Sequence, residues 1–126
     1  KYFFRKMNID EELKQAFSHL QMKKVETDQK LLAATIESEK LQKMTLFTDI
    51  VSKEIRNLPN ETRLFYSVGR MYILEKTEDV EDILKSNKEF ASKRLKLIED
   101  GKQQLQKSLK ESENSLRELV EQKRRN

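Results

Sequence analysis

The chain has 126 residues and a formal net charge of +4; 38% of its residues are charged, 36% are hydrophobic, and it contains two glycines, one proline and no cysteine. This composition is typical of a long-helix or coiled-coil protein, and it excludes disulfides, cysteine nucleophiles and glycine-rich phosphate loops. With a single histidine, His19, and no run of ~20 apolar residues, we expect neither an enzyme nor a membrane-bound protein, and neither a metal nor a cofactor.

The first predicted element is a helix over residues 8–45 that carries a heptad seam. Asn8 is a suitable N-cap, because Glu11 three residues later completes a near capping box. Residues 1–6 precede this signal, and we interpret them as a flank or tag outside a single domain that covers residues 7–126. Apolar residues then recur every three or four positions, as in a coiled coil. The seam positions are Leu13, Phe17, Leu20, Lys24, Thr27, Leu31, Ala34, Ser38 and Leu41.

The central region, residues 46–77, is predicted to form a short helix ended by Pro59 and then a β-hairpin. Aromatic and β-branched runs on either side of Gly69 are typical of such a hairpin. Both faces would be apolar, whereas a half-solvated antiparallel hairpin alternates apolar and polar residues. An isolated two-stranded hairpin is marginal in water, so we expect this one to join other subunits. The predicted joint consists of Leu64, Phe65, Tyr66, Val68, Gly69, Met71, Tyr72, Ile73 and Leu74.

The second predicted helix covers residues 78–124, with Thr77 as its N-cap and acidic residues in its first turns. Its seam positions are Leu84, Lys88, Ala91, Leu95, Ile98, Lys102, Leu105, Leu109, Ser112, Leu116 and Leu119. If the helices fold back around the centre, residue i faces about residue 125 − i. Lys24 and Lys102 then share a layer, where we expect a weak point or hinge. The predicted fold is mainly α: a long antiparallel coiled-coil hairpin with a small β-hairpin at its base.

Several motifs together resemble one known family. The most specific is the hairpin run from Tyr66 to Leu74, which reads YSVGRMYIL and follows NLPNET at residues 57–62. Supporting matches are LKQAF at residues 13–17 and QKSLKESEN at residues 106–114. In this order, the motifs resemble the β-class subunits of prefoldin over nearly the whole chain.

The resemblance implies a hexamer of two α-class and four β-class subunits, so this chain would join two α-class and three further β-class partners. It also implies an ATP-independent holdase that captures non-native actin and tubulin and delivers them to the group II cytosolic chaperonin. Its location would be the cytoplasm, with presence in the nucleus left open. Client contacts carry over to the helix ends, namely to Ile9, Leu13, Phe17, Leu20, Leu116, Leu119 and Val120.

Two alternatives remain open at this point. A structural coiled-coil tether without client binding would need the seam residues, Leu13 and Leu116 among them, only to hold the helices together. A nucleic-acid adaptor would use the basic cluster Lys123, Arg124 and Arg125, and its affinity would fall with salt. We expect no nucleic-acid partner, because cations in the last helical turn also complement the helix dipole.

Overall fold

The computed structural model describes the backbone of residues 2–125 and the side chains of residues 11–125. Helix α1 spans Tyr2–Arg56, strand β1 Leu64–Val68, strand β2 Met71–Glu75 and helix α2 Thr77–Arg125. The mainly α fold with one β-hairpin, predicted from the sequence, is confirmed. The chain divides into a terminal unit, made of the chain up to Thr35 and from Glu99 onwards, and a central unit, Ile36–Ile98.

Helix α1 is continuous and longer than predicted. Its backbone is already helical at Tyr2 and remains so to Arg56, so Asn8 is not an N-cap and the helix does not end at residue 45. No glycine or proline interrupts this span. The hydroxyls of Thr45 and Thr48 donate to the carbonyls four residues earlier, at 3.0 and 2.8 Å. These bonds satisfy the polar side chains inside the helix, so the threonines do not break it.

The longer helix shifts the register between α1 and α2. In the terminal unit, Lys123 pairs with Glu12 at 2.5 Å, and Lys23 Nζ donates to Ser112 Oγ at 2.6 Å. In the central unit the cross-helix ion pairs are Lys88–Asp49 at 2.6 Å and Arg94–Glu37 at 2.8 Å. Within each unit, residue i of α1 therefore lies opposite about residue 135 − i. The predicted register was wrong by about ten residues, or roughly 15 Å, because the helix was ended too early.

The new register removes the predicted lysine layer. In the terminal unit α1 turns a different set of residues inward: Leu13, Ala16, Leu20, Lys23, Thr27 and Leu31. Lys24 is exposed, and the half-buried Lys102 lies opposite about residue 33. The two lysines therefore do not share a layer, and the predicted hinge between them loses its physical basis.

The hairpin agrees with the prediction. β1 and β2 pair antiparallel, with Tyr66 opposite Ile73 and Val68 opposite Met71. Gly69 has φ 59°, whereas Arg70, the second turn residue, does not take positive φ. Positive φ at the first central residue only is the pattern of a type II′ turn, which matches the twist of the strands. Gly69 therefore fixes the register of the hairpin.

Replacing Gly101 with alanine should stabilise the protein. Gly101 lies exposed inside α2, and a Cβ added there would meet no atom within 4 Å. Glycine in a helix interior costs roughly 1 kcal/mol relative to alanine, so urea denaturation of Gly101→Ala should show a gain of about that size. Gly69→Ala is the matched control: the same methyl group should destabilise the hairpin, because φ there is positive. Equal effects at the two sites would contradict this explanation.

Candidate functional site

The residues predicted to bind clients lie in the terminal unit, at different depths. Leu116 is buried, at 8% exposure, whereas Leu13, Leu20 and Leu119 are half-buried. Phe17 is 53% exposed, because Ala16 takes the inward position that was predicted for Phe17. Ile9 falls outside the residues whose side chains the structure describes.

One groove brings together four of these residues. Its apolar surface consists of Phe17, Leu20, Leu116 and Val120, and its volume is about 660 Å³. Three charged residues of α2 at helical spacing, Glu113, Arg117 and Glu121, complete the lining. We call this the Phe17 groove. An apolar side chain can reach the seam here without separation of the helices.

A second groove in the same unit also opens onto the seam. It has a volume of about 460 Å³, and Leu20, Leu116 and Leu119 form its apolar part. The other lining residues are small or polar: Ala16, His19, Lys23, Ser108, Glu111, Ser112 and Ser115. We call this the serine groove. Leu20 and Leu116 line both grooves, so the seam is accessible along two separate paths.

The serine groove was missed by sequence reasoning. Ser108, Ser112 and Ser115 recur at spacings of four and three, so they line one stripe of α2 and leave space beside the larger leucines. Lys23 crosses part of this space: its ammonium donates to Ser112 Oγ and, at 3.4 Å, to the Ser108 carbonyl. The small residues beside the seam of α2 were the signal in the sequence for this groove. Because the predicted register was wrong, the α1 residues that face these serines could not be identified.

The hairpin of the central unit presents apolar side chains on both faces. Because opposite residues of an antiparallel pair share a face, Leu64, Tyr66, Val68, Met71 and Ile73 lie together on one side, and Phe65, Tyr72 and Leu74 on the other. Leu64 is half-buried, whereas the other seven are exposed, from 42% for Ile73 to 73% for Tyr72. The sheet has only these two strands in the part of the chain that the structure describes. Two strand edges therefore stay open for pairing.

Charged groups are arranged as surface pairs. The carboxylate of Glu37 raises the pKa of the Arg94 guanidinium, first by its hydrogen bond and then by its charge. At the end of α2, Lys123 binds Glu12 and Arg125 lies 3.5 Å from Glu121, so two of the three basic residues of this cluster are paired with carboxylates.

Two kinds of site have no support among the described residues. Over residues 11–125, no three His, Cys, Asp or Glu side chains gather where a metal ion could bind. Between Tyr2 and Arg125, neither helix has an apolar stretch that could cross a bilayer.

Comparison with known proteins gives a consistent result. Residues 15–123 match the family described as Prefoldin subunit. Prefoldin subunit 1 of Tetraodon nigroviridis is 38% identical over 112 residues, which are 89% of this chain and 92% of that protein. The Homo sapiens protein of the same name is 36% identical with the same coverage. The crystal structure of the prefoldin beta subunit from Thermococcus strain KS-1 aligns with a TM-score of 0.69 at 20% identity, over 85% of this chain and 90% of that one. That structural likeness shows a shared fold.

Proposed function

This chain belongs to the prefoldin family, and we propose that it is a β-class subunit of a hexamer that holds non-native chains without ATP. As a prefoldin subunit it assembles with other prefoldin subunits. We further propose that the complex contains two α-class and three additional β-class partners. The observation that carries the proposal is that one chain combines an apolar two-faced hairpin with apolar grooves in a separate unit.

The hairpin supports assembly for two physical reasons. Each exposed apolar side chain gains roughly 25 cal/mol for every Å² removed from water, and both faces carry such side chains. The open edges of β1 and β2 also present backbone groups that a neighbouring strand can satisfy. Pairing with other hairpins meets both demands.

The Phe17 groove supports client capture. Non-native chains expose apolar side chains, and these bind wherever apolar surface is accessible from water. Phe17 supplies exposed ring surface, while Leu20 and Leu116 lie deeper in the groove. Each contact is weak, but several subunits that hold one client raise the overall affinity through effective concentration.

The clients and the route of delivery rest on the family resemblance. We propose that non-native actin and tubulin are captured, that they pass to the group II cytosolic chaperonin, and that this takes place in the cytoplasm. Delivery requires release, and weak individual contacts permit it because each can open separately.

A structural tether without client binding is the second candidate. A tether needs a closed seam, and the two grooves that extend inward to Leu20 and Leu116 argue against that role. The reconstituted complex distinguishes the two functions: a holdase suppresses the aggregation of chemically unfolded actin, measured by light scattering without ATP. A tether assembles equally well and leaves the aggregation unchanged.

The isolated chain should self-associate at micromolar concentration. The reason is the large apolar surface of the hairpin, which is exposed when no other subunit is present. Sedimentation velocity should show species larger than a monomer, and addition of α-class subunits should convert them into a defined complex. A stable monomer that also does not bind α-class subunits would rule out the assembly role.

A further inference from the structure

The central unit carries an apolar cluster on α1 that neither α2 nor the hairpin covers. Leu46, Phe47 and Ile50 are 64%, 67% and 55% exposed. They share one surface of the helix, because residues three and four positions apart are neighbours. Thr48, between them in sequence, is only 5% exposed. The cluster therefore points away from the seam.

The position of this cluster suggests what covers it. Ile50 and Leu46 lie six and ten residues before Arg56, which is about 9 and 15 Å from the end of α1 that leads into the hairpin. A subunit whose hairpin pairs edge to edge with this one has its hairpin axis two strand spacings away, or roughly 10 Å. Helices pack at 8–10 Å between axes. Where the helices of the two subunits extend from the paired hairpins, their axes would thus be close enough to pack against each other.

A second feature separates this surface from the rest of the unit. The broad cleft between α1 and α2 is lined mostly by charged and polar residues, among them Asp49, Lys85 and Lys88. An apolar partner surface would strip water from these groups, which is costly. The Leu46 cluster itself is apolar, and its nearest charged neighbours, Lys43, Lys53 and Glu54, are exposed and lie one turn before and after it, where their charges can stay in water.

We propose that Leu46, Phe47 and Ile50 form a second assembly contact, which packs against a helix of the neighbouring prefoldin subunit. This inference rests on the proposed pairing of hairpins, and it adds a helix–helix contact to it. The contact fixes the orientation of neighbouring coiled coils relative to each other. Pairing of the hairpins alone would leave the coiled coils free to twist.

Site-specific cross-linking tests the contact directly. Because the chain has no cysteine, Ile50→Cys supplies a single thiol for a benzophenone label in the complex assembled from all subunits. We expect a cross-link to a helix of a neighbouring prefoldin subunit. Lys85→Cys, on the charged cleft, is the control and should give less than a third of that yield. A label at residue 50 that reaches only α2 of its own chain, only an added unfolded client, or nothing would overturn the proposal.

Paired substitutions test the energetic side. Phe47→Ser with Ile50→Ser should raise the concentration at which the complex dissociates at least tenfold. Phe90→Ser with Leu97→Ser is the matched control, since both residues are 63% exposed but lie 13 and 20 residues beyond Thr77; it should change that concentration less than threefold. Equal effects of the two pairs would overturn the contact.

The proposed hairpin joint and the proposed helix contact can be disproved separately. If a charged hairpin variant still assembles while residue 50 cross-links to a neighbour, the hairpin joint is wrong and the helix contact stands. If the hairpin variant blocks assembly and the Phe47 and Ile50 changes have no effect, only the helix contact is wrong.

Discussion

Replacing Tyr66 or Ile73 with aspartate is expected to abolish assembly with other prefoldin subunits and to leave the helices intact. The two residues lie opposite each other on one face of the hairpin, and they are 43% and 42% exposed in the single chain. In the proposed joint this face is buried. An unpaired carboxylate there would cost several kcal/mol, more than two orders of magnitude in a dissociation constant.

The measurement combines sedimentation velocity of the mixed subunits with circular dichroism of the variant. Asn60→Asp is the control, because it adds the same charge in the exposed loop before β1, outside the strands. The control should assemble normally. If Tyr66→Asp forms complexes of normal size and stability, this face of the hairpin is not buried in the subunit joint.

The hairpin was predictable from sequence, whereas the helix register was not. Gly69 and the aromatic runs around it are local signals, and short antiparallel hairpins are determined by local sequence. The register depends instead on where α1 ends. The first helix was predicted to end at residue 45, but it continues to Arg56, and the hydroxyls of Thr45 and Thr48 bind backbone carbonyls inside it. Pro59 was the reliable stop signal.

The Phe17 groove was predicted in part. Phe17, Leu20, Leu116 and Val120 were chosen from the sequence, and they line one groove. The exposure of Phe17 could not be read from its spacing, because Ala16 and Phe17 both fit a seam of three and four residues. Placing a small residue inward brings the helices close and leaves the ring outside. Which neighbour turns inward depends on the facing helix, and therefore on the register.

Replacing Phe17 and Val120 with serine should weaken client capture without disturbing assembly. Both residues line the Phe17 groove, and neither belongs to the central unit that contains the hairpin. Loss of about 1 kcal/mol per side chain, from partial burial, predicts a roughly 30-fold weaker single-site affinity.

The readout must avoid masking by avidity, because other subunits hold the same client. Fluorescence anisotropy with a short apolar peptide, which reaches only one subunit, reports the single-site affinity. Suppression of actin aggregation by the full complex should fall by a smaller factor. Met22→Ser with Val25→Ser is the matched control, since both residues are more than half exposed on α1 in the same unit and line neither groove.

The two pairs of variants separate two modes of capture. If the groove binds the client, only the Phe17 and Val120 pair weakens the peptide. If capture is a general property of exposed apolar surface, the Met22 and Val25 pair weakens it as much, because Met22 is the more exposed side chain at 63% against 53% for Phe17. Phe17 differs from Met22 in that it lines a groove together with the seam leucines Leu20 and Leu116, so a client side chain there loses water on several sides at once. A groove therefore gains more from the same apolar area than an open helix surface does.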